Sequence, residues 1–299
     1  MANSIAYASL FQDALDKVIE QQAKTNWMVP NASRVKYNGG NEIKIGKLAL
    51  DGLADYSRAN GFEEGDVNLT WQTHQFDYDR GRKFTIDPMD VDEANFLPTA
   101  TNIMGEFVRT KVIPEVDLVR IAKVASKASV ANTKEIVATK DNALEEFKAG
   151  IVAVRDAGYE GQLVAHIRYD FLNLLELRFA SQLSSVTFKV GVIDTTFPSI
   201  DGVALIPTVS SRMYNKVAKN ETTGAIAPAA DAEAVEFLIA GVDVPIGIAK
   251  HESIRTFTPE QYQDKNAWAM DYRLYHTALV EDNKVPAIYV ALKGDASGE

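Results

Sequence analysis

A chain of 299 residues, 46% hydrophobic and 24% charged, holds enough material for two compact lobes with their own cores. Its formal charge of −10 argues against a dedicated nucleic-acid binder, which would turn a basic face to phosphates. Without cysteine there are no disulfides or thiolate metal sites, as suits a reducing cytoplasm, and neither an export signal nor a run of about 18 apolar residues points to a membrane.

In chain order, Leu10, Phe11, Ala14, Leu15, Val18 and Ile19 share one face of a helix expected over residues 5–24. The apolar Trp27-Met28-Val29 that follows demands cover, either from the chain's own core or from a neighbouring subunit. Residues 42–50 and 67–86 then read as a long hairpin joined by a polar segment, 51–66. Val67, Leu69 and Trp71 alternate onto one face, but past His74-Gln75 the phase slips. Phe76, Tyr78, Arg80, Arg82, Phe84 and Ile86 line up instead. A β-bulge there, and a second at Gly46, would account for both slips. A two-stranded ribbon is marginal in water on its own, so this one calls for a surface supplied by another subunit.

Asp90 is placed to cap a helix, with Glu93 at the capping-box position, and the helical pattern runs to Ser126, interrupted by Pro98 and Pro114. Leu118, Ile121, Ala122 and Ala125 form its apolar stripe. Beyond it come a strand at Ile136-Val137-Ala138, a helix from Asp141 to a C-cap at Gly158, and a strand over 162–167. A helix from Asp170 to Phe179 and strands at 186–190 and 203–207 follow. Residues 211–232 lack any period and read as a mobile loop. Strands at 234–240 and 244–249 close an α/β lobe over 131–256, while 267–292 alternates as a second sheet covered by the long helix. The last six residues are expected to fray.

Motifs of chemistry are scarce. His251-Glu252-Ser253-Ile254-Arg255 opens like a zinc-protease helix but carries Arg255 where the second histidine belongs. Asp77 and Asp79 have the spacing to hold a divalent cation, yet Arg80, Arg82 and Lys83 follow at once, favouring a salt-bridged ribbon over a metal-dependent enzyme. No phosphate-binding glycine loop and no nucleophile elbow is present. Cofactors, metals and catalytic residues are therefore expected to be none.

The order of several stretches resembles the major capsid proteins of tailed bacteriophages. These are 42–50 with Leu53-Ala54-Asp55-Tyr56, Thr70-Trp71, Asp77-Tyr78-Asp79-Arg80-Gly81-Arg82-Lys83-Phe84 and Asp90-Val91-Asp92-Glu93. Glu106-Phe107-Val108-Arg109, Val112-Ile113-Pro114-Glu115-Val116-Asp117, Tyr272-Arg273-Leu274-Tyr275-His276 and Ile288-Tyr289-Val290 complete the set. The resemblance implies an α+β tailed-phage major capsid protein fold, also seen in encapsulins. Its parts would be an N-terminal arm (1–33), an extended β-hairpin loop (34–86), a peripheral domain with a long spine helix (87–130 and 257–299) and an axial α/β domain (131–256). It further implies a non-enzymatic virion subunit, made in the host bacterial cytoplasm and assembling with itself into hexamers and pentamers of an icosahedral shell. Its partners would be double-stranded DNA bound without sequence preference, a separate scaffolding protein and a portal, with no membrane. An encapsulin-like nanocompartment is the alternative. Expected subunit-interface residues are Trp27, Lys44, Lys47, Trp71, Phe76, Tyr78, Arg80, Arg82 and Lys83, with Arg80, Arg82 and Lys83 pairing to Glu63, Glu64 and Asp66 of a neighbour. Some members join subunits through a lysine–asparagine bond; Lys44 and Lys47 lie in the hairpin, but no asparagine or glutamate matches, so that activity is not expected.

Overall fold

The computed structural model describes residues 23–37, 42–56, 58, 61–87, 100–179, 184–190, 193–262, 264 and 266–294. The expected first helix, the Asp90 cap and the C-terminal tail lie outside these residues.

The chain enters through two short 3-10 turns, Asn26–Met28 and Pro30–Arg34. Strands β1 (Lys36–Tyr37), β2 (Glu42–Leu50) and β3 (Val67–Gln75) form a small sheet in that order. The β2–β3 register runs unbroken from Glu42 opposite Gln75 to Leu50 opposite Val67. The bulge expected at Gly46 is therefore absent. The apolar phase changes there because the ribbon changes which face it buries: Ile43 and Ile45 point into a core at the base, while Leu48 and Leu50 point the other way and stay exposed.

The second expected bulge is also replaced by something larger. After Gln75 the chain leaves this sheet, and β4 (Tyr78–Ile86) joins a different one with β13 (Pro245–Phe257) and β14 (Trp268–Val280), in the order β13-β14-β4. Phe76 is the pivot. It is buried against Ile43, Ile45, Ile246 and Leu279, its ring 5.0 Å from that of Tyr275.

Across this second sheet lies the long helix: α1 (Ala100–Phe107), a π turn (Val108–Val112) and α2 (Ile113–Ala125). Pro114 sits in the first turn of α2, where a missing N–H is tolerated, so the rod continues through it. Met104, Val108, Val112, Ile113 and Val116 pack on Ile254, Met270, Tyr272 and Leu274. Further along, Ile121, Val124 and Ala125 enter the core of the other lobe. The helix thus covers the second sheet, as expected, and is itself covered in turn. Besides the expected stripe, Asp117, Val119, Arg120 and Val124 are buried, so α2 is enclosed on nearly all sides and joins the two lobes.

That other lobe is a seven-stranded sheet flanked by α3 (Ala143–Asp156) and α4 (Tyr169–Phe179), where Phe147, Phe171 and Phe237 meet ring against ring. Its strands are β5 (Thr133–Ile136), β6 (Leu163–Arg168), β7 (Ser184–Val190), β8 (Ile193–Ile200), β9 (Val203–Thr208), β12 (Val235–Gly241) and β15 (Ile288–Lys293), in the order β5-β15-β12-β6-β9-β8-β7. Gly158, at φ +88°, ends α3 as its position in the sequence suggests.

Two expected assignments change. Residues 245–257 belong to the sheet under the long helix, not to the α/β lobe, and residues 288–293 make the reverse exchange. The stretch 211–232 is no periodless loop: β10 (Val217–Lys219) and β11 (Ile226–Pro228) pair as a hairpin turning at Gly224. Beside them, Arg212 reaches 2.9 Å to the buried Asp117 of α2. Asp117 also accepts from Thr25 N at 3.1 Å and Thr25 Oγ1 at 2.7 Å, so one carboxylate fastens the entering segment, the long helix and the α/β lobe together.

Candidate subunit interface

The β2–β3 ribbon presents two faces of opposite fate. Opposed residues of an antiparallel pair share a face, so Gly46 lies with Trp71, Leu48 with Leu69 and Leu50 with Val67. The Trp71 ring lies over Gly46: a β-carbon there would sit at ordinary contact distance, 3.6 Å, from it. Leu48 is 56% exposed, Leu50 64%, Val67 70%, Leu69 55% and Trp71 56%. Together they make a continuous apolar stripe that none of the described residues covers, and a stripe of this kind marks a contact surface. Lys44 is exposed on that same face, opposite Thr73, and Lys47 is exposed on the other face, opposite Thr70.

The base of the ribbon is anchored to its own molecule. Gln72 donates to Asp282 at 2.8 Å, Asp77 pairs with Lys123 of α2, and the Phe76 cluster fills the junction. At the far end the described residues of 51–66 are exposed, apart from a half-buried Gly61. Tyr56 and Phe62 meet there at 4.9 Å, with Phe62 88% exposed, and Asp66 N donates to Asp51 at 2.8 Å to close the neck.

The remaining expected interface residues divide. Trp27 is buried in its own chain: its indole N–H donates 3.0 Å to His166 Nε2, and its ring meets Phe188 edge-on. Phe76 is buried likewise, so neither offers a surface to a neighbour. Tyr78 stacks on His276, and its hydroxyl proton is held more tightly than usual by burial. Arg80 makes a two-pronged ion pair with Glu115 of α2, at 2.6 and 3.1 Å. Lys83 lies 4.2 Å from the Tyr262 ring centre, and a hydrogen bond to Tyr262 raises its pKa. Of the three expected cations, Arg82 and Lys83 are both exposed and neither has an ion-pair partner among the described residues, though Lys83 is engaged by Tyr262.

Asp77 and Asp79 do not form a metal pair. Asp77 precedes β4 and is neutralised by Lys123, while Asp79 takes a forked ion pair from Arg273 at 2.6 and 2.9 Å. Among the described residues no group of three or more acidic or histidine side chains converges as a metal site, and no helix is long and apolar enough to cross a membrane. His251 lies in strand β13 and not on a helix.

A second feature escaped the sequence reading: a cleft of about 800 Å³ beside β4. One wall is β4, another the π turn and start of α2, and the third the β10–β11 hairpin. Phe84, Phe107, Val112 and Leu274 line its apolar side, and Arg80, Arg82, Lys83, Lys111 and Lys219 its charged side together with the carboxylates of Asp79 and Glu115. His276 among its lining is 1% exposed, and neither ring nitrogen has a hydrogen-bond partner among the described residues. Burial, and then the charges of Arg120 and Arg80, push its pKa down to about 3. Periodicity cannot foretell such a cleft, because its walls lie far apart in the chain.

No family model and no curated protein matches the sequence. Solved structures do resemble it. The capsid structure of cyanophage P-SCSP1u has a TM-score of 0.64 at 10% identity, covering 87% of this chain and 86% of that chain. The mature capsid of bacteriophage PhiM1 gives 0.60 at 11%, covering 86% and 83%. A virus-like particle from Pyrococcus furiosus gives 0.53 at 11%, covering 95% and 99%. The chain therefore has the α+β fold of phage capsid subunits, as the sequence resemblance implies.

Proposed function

We propose that this chain is the major structural subunit of a tailed-phage shell, assembling with itself as hexamers and pentamers into an icosahedral container for double-stranded DNA. The observation that carries the proposal is the bare apolar stripe of Leu48, Leu50, Val67, Leu69 and Trp71, held out on a ribbon whose base is fixed. In a phage-capsid fold, a second copy is the surface that covers it. At about 25 cal/mol per Å², burial of this stripe outweighs the 0–1 kcal/mol of a typical exposed ion pair, leaving charge to set register and exclude wrong partners. The net charge of −10 fits a wall that must not grip the phosphates it encloses. On this reading the subunit is non-enzymatic, assembles in the host cytoplasm with a scaffolding protein and a portal, and ends in the virion.

A second reading, a nanocompartment shell around protein cargo, is favoured by the likeness to the Pyrococcus furiosus virus-like particle over nearly the whole of both chains. Expression followed by light scattering and negative-stain microscopy tests the shared part: closed shells, tubes or capsomers are expected. A monodisperse monomer under all assembly conditions would overturn both readings. Nucleic-acid content of particles from infected cells separates DNA container from cargo compartment.

A further inference from the structure

Two short connections carry the chain between the lobes. Residues 241–245 lead from β12 into β13, and the 3-10 turn Asp282–Ala287 leads from β14 back into β15. These connections are tied to each other. Lys284 Nζ in the second donates to Asp243 in the first, at 3.0 Å to Oδ2 and 3.3 Å to the backbone oxygen. Asp243 Oδ1 accepts the hydroxyl of Tyr159, which stands just past the end of α3 in the α/β lobe. Burial, and then that hydrogen bond, push the Tyr159 pKa up, so the hydroxyl keeps the proton it donates. The Tyr159 ring is seated on two glycines: a β-carbon at Gly161 or Gly241 would overlap it. On the other side, Asp282 exchanges two hydrogen bonds with Gln72 at the base of the ribbon. Gln72 Nε2 donates to Oδ1 at 2.8 Å, and Asp282 N donates to Gln72 Oε1 at 3.3 Å. Polar contacts and one short turn thus run from the ribbon, through both connections, to the α/β lobe.

Stability alone does not account for this network. The Asp243 side chain is half exposed, and an ion pair so open to water adds little to a fold. What the network fixes is an angle. Asn31 fixes it further, donating at 2.8 Å to the backbone oxygens of both Val242 and Pro245. A shell closes only when each subunit holds its contact surfaces at the angle its symmetry requires, and an error there changes the particle or leaves it open. The ribbon carries the apolar stripe, so how the ribbon stands to the α/β lobe bears on that angle. We infer that Tyr159, Asp243 and Lys284 are positioning residues for assembly, which hold the ribbon and the α/β lobe at one angle and so decide the diameter of the particle. This rests on the shell reading and adds the place where the geometry of the shell is decided.

The test compares Tyr159→Phe, which removes one oxygen, and Lys284→Met with a control, Lys134→Met. The control breaks an ion pair of the same kind, Lys134 with Glu146 at 2.6 Å, but within the α/β lobe. Particle diameters are read by light scattering and negative-stain microscopy, and the unassembled chains are unfolded in urea. Tyr159→Phe and Lys284→Met should still assemble but spread the diameters into several classes or tubes, while Lys134→Met keeps the distribution of the unaltered chain. The urea midpoint should fall no further in Tyr159→Phe than in Lys134→Met. Unchanged diameters in both test variants, or equal spreading by the control, would overturn the inference and leave the shell reading standing. A far larger fall in the midpoint of Tyr159→Phe would make the network a part of the fold alone and overturn it too. Absence of particles from the unaltered chain would overturn the shell reading and this inference with it.

Discussion

Trp71→Ala separates the two roles a large apolar residue can play. A tryptophan side chain covers up to about 250 Å². At 56% exposure roughly 140 Å² of Trp71 waits for a partner, which at 25 cal/mol per Å² is worth about 3.5 kcal/mol per contact. A subunit gives one ribbon and receives one, so the concentration needed for assembly should rise by up to a few hundred-fold. The folded subunit should change little, because the indole lies over Gly46 on a ribbon anchored elsewhere, by Phe76, Gln72 and Asp77. The assay is light scattering against protein concentration, with circular dichroism and urea unfolding of the unassembled chain as the control. Loss of the subunit's own stability by several kcal/mol, with unchanged assembly of the folded fraction, would refute the reasoning.

Three further substitutions or conditions test the frame that holds the ribbon. Burial, and secondarily Lys24, push His166 down to about 3, and its Nε2 is already spent as an acceptor for Trp27; His276 is pushed down equally far. Both stay neutral when folded but titrate near 6.5 when unfolded, so the unfolded chain binds more protons between those values. Stability should be full above about pH 6.5 and fall as pH drops toward 3, by up to about 2 kcal/mol per histidine at pH 5. Urea midpoints at pH 7 and pH 5 check this, and His166→Gln or His276→Gln should shrink the difference; an unchanged difference in both would contradict it. Asp117→Ala removes the carboxylate shared by Thr25 and Arg212 and should cost about 3–5 kcal/mol in urea unfolding, whereas a loss below 1 kcal/mol would show that the three segments hold without it. Gly150→Ala should destabilise by about 1–3 kcal/mol despite alanine's better helix propensity, because a β-carbon there would come within 2.8 Å of the Tyr289 ring and 3.0 Å of Ile239; a rise in melting temperature would refute the close packing of α3.

Local signals in the sequence were read well where one element decides its own fate. The alternation of Val67, Leu69 and Trp71, the stripe from Leu118 to Ala125, and Gly158 past the end of a helix each reflect a periodicity or a backbone need contained in a few residues. Sheet membership was not so contained. Residues 245–257 and 288–293 alternate much as expected, but which sheet each joins is decided by partners far away in sequence. The phase slips at Gly46 and after Gln75 are real features of the sequence, and their cause is tertiary: one marks where the ribbon leaves the core, the other where the chain changes sheets. The same limit explains the interface residues. Trp27 and Phe76 look like exposed anchors only until the segments that bury them are in place. Lys111 and Lys219 look like ordinary surface lysines until the π turn and the β10–β11 hairpin bring them to one cleft. The Asp201-Gly202 turn, with φ of 51° and 78°, was a readable hairpin signal that would have revealed β8.

The most direct measurement is electron cryomicroscopy of particles grown from the purified chain. Density for the 42–75 ribbon should lie across an adjacent subunit, with the Leu48, Leu69 and Trp71 side chains enclosed at that contact. A closed particle in which this ribbon touches no neighbour, its apolar stripe bare or folded onto its own body, would contradict the account.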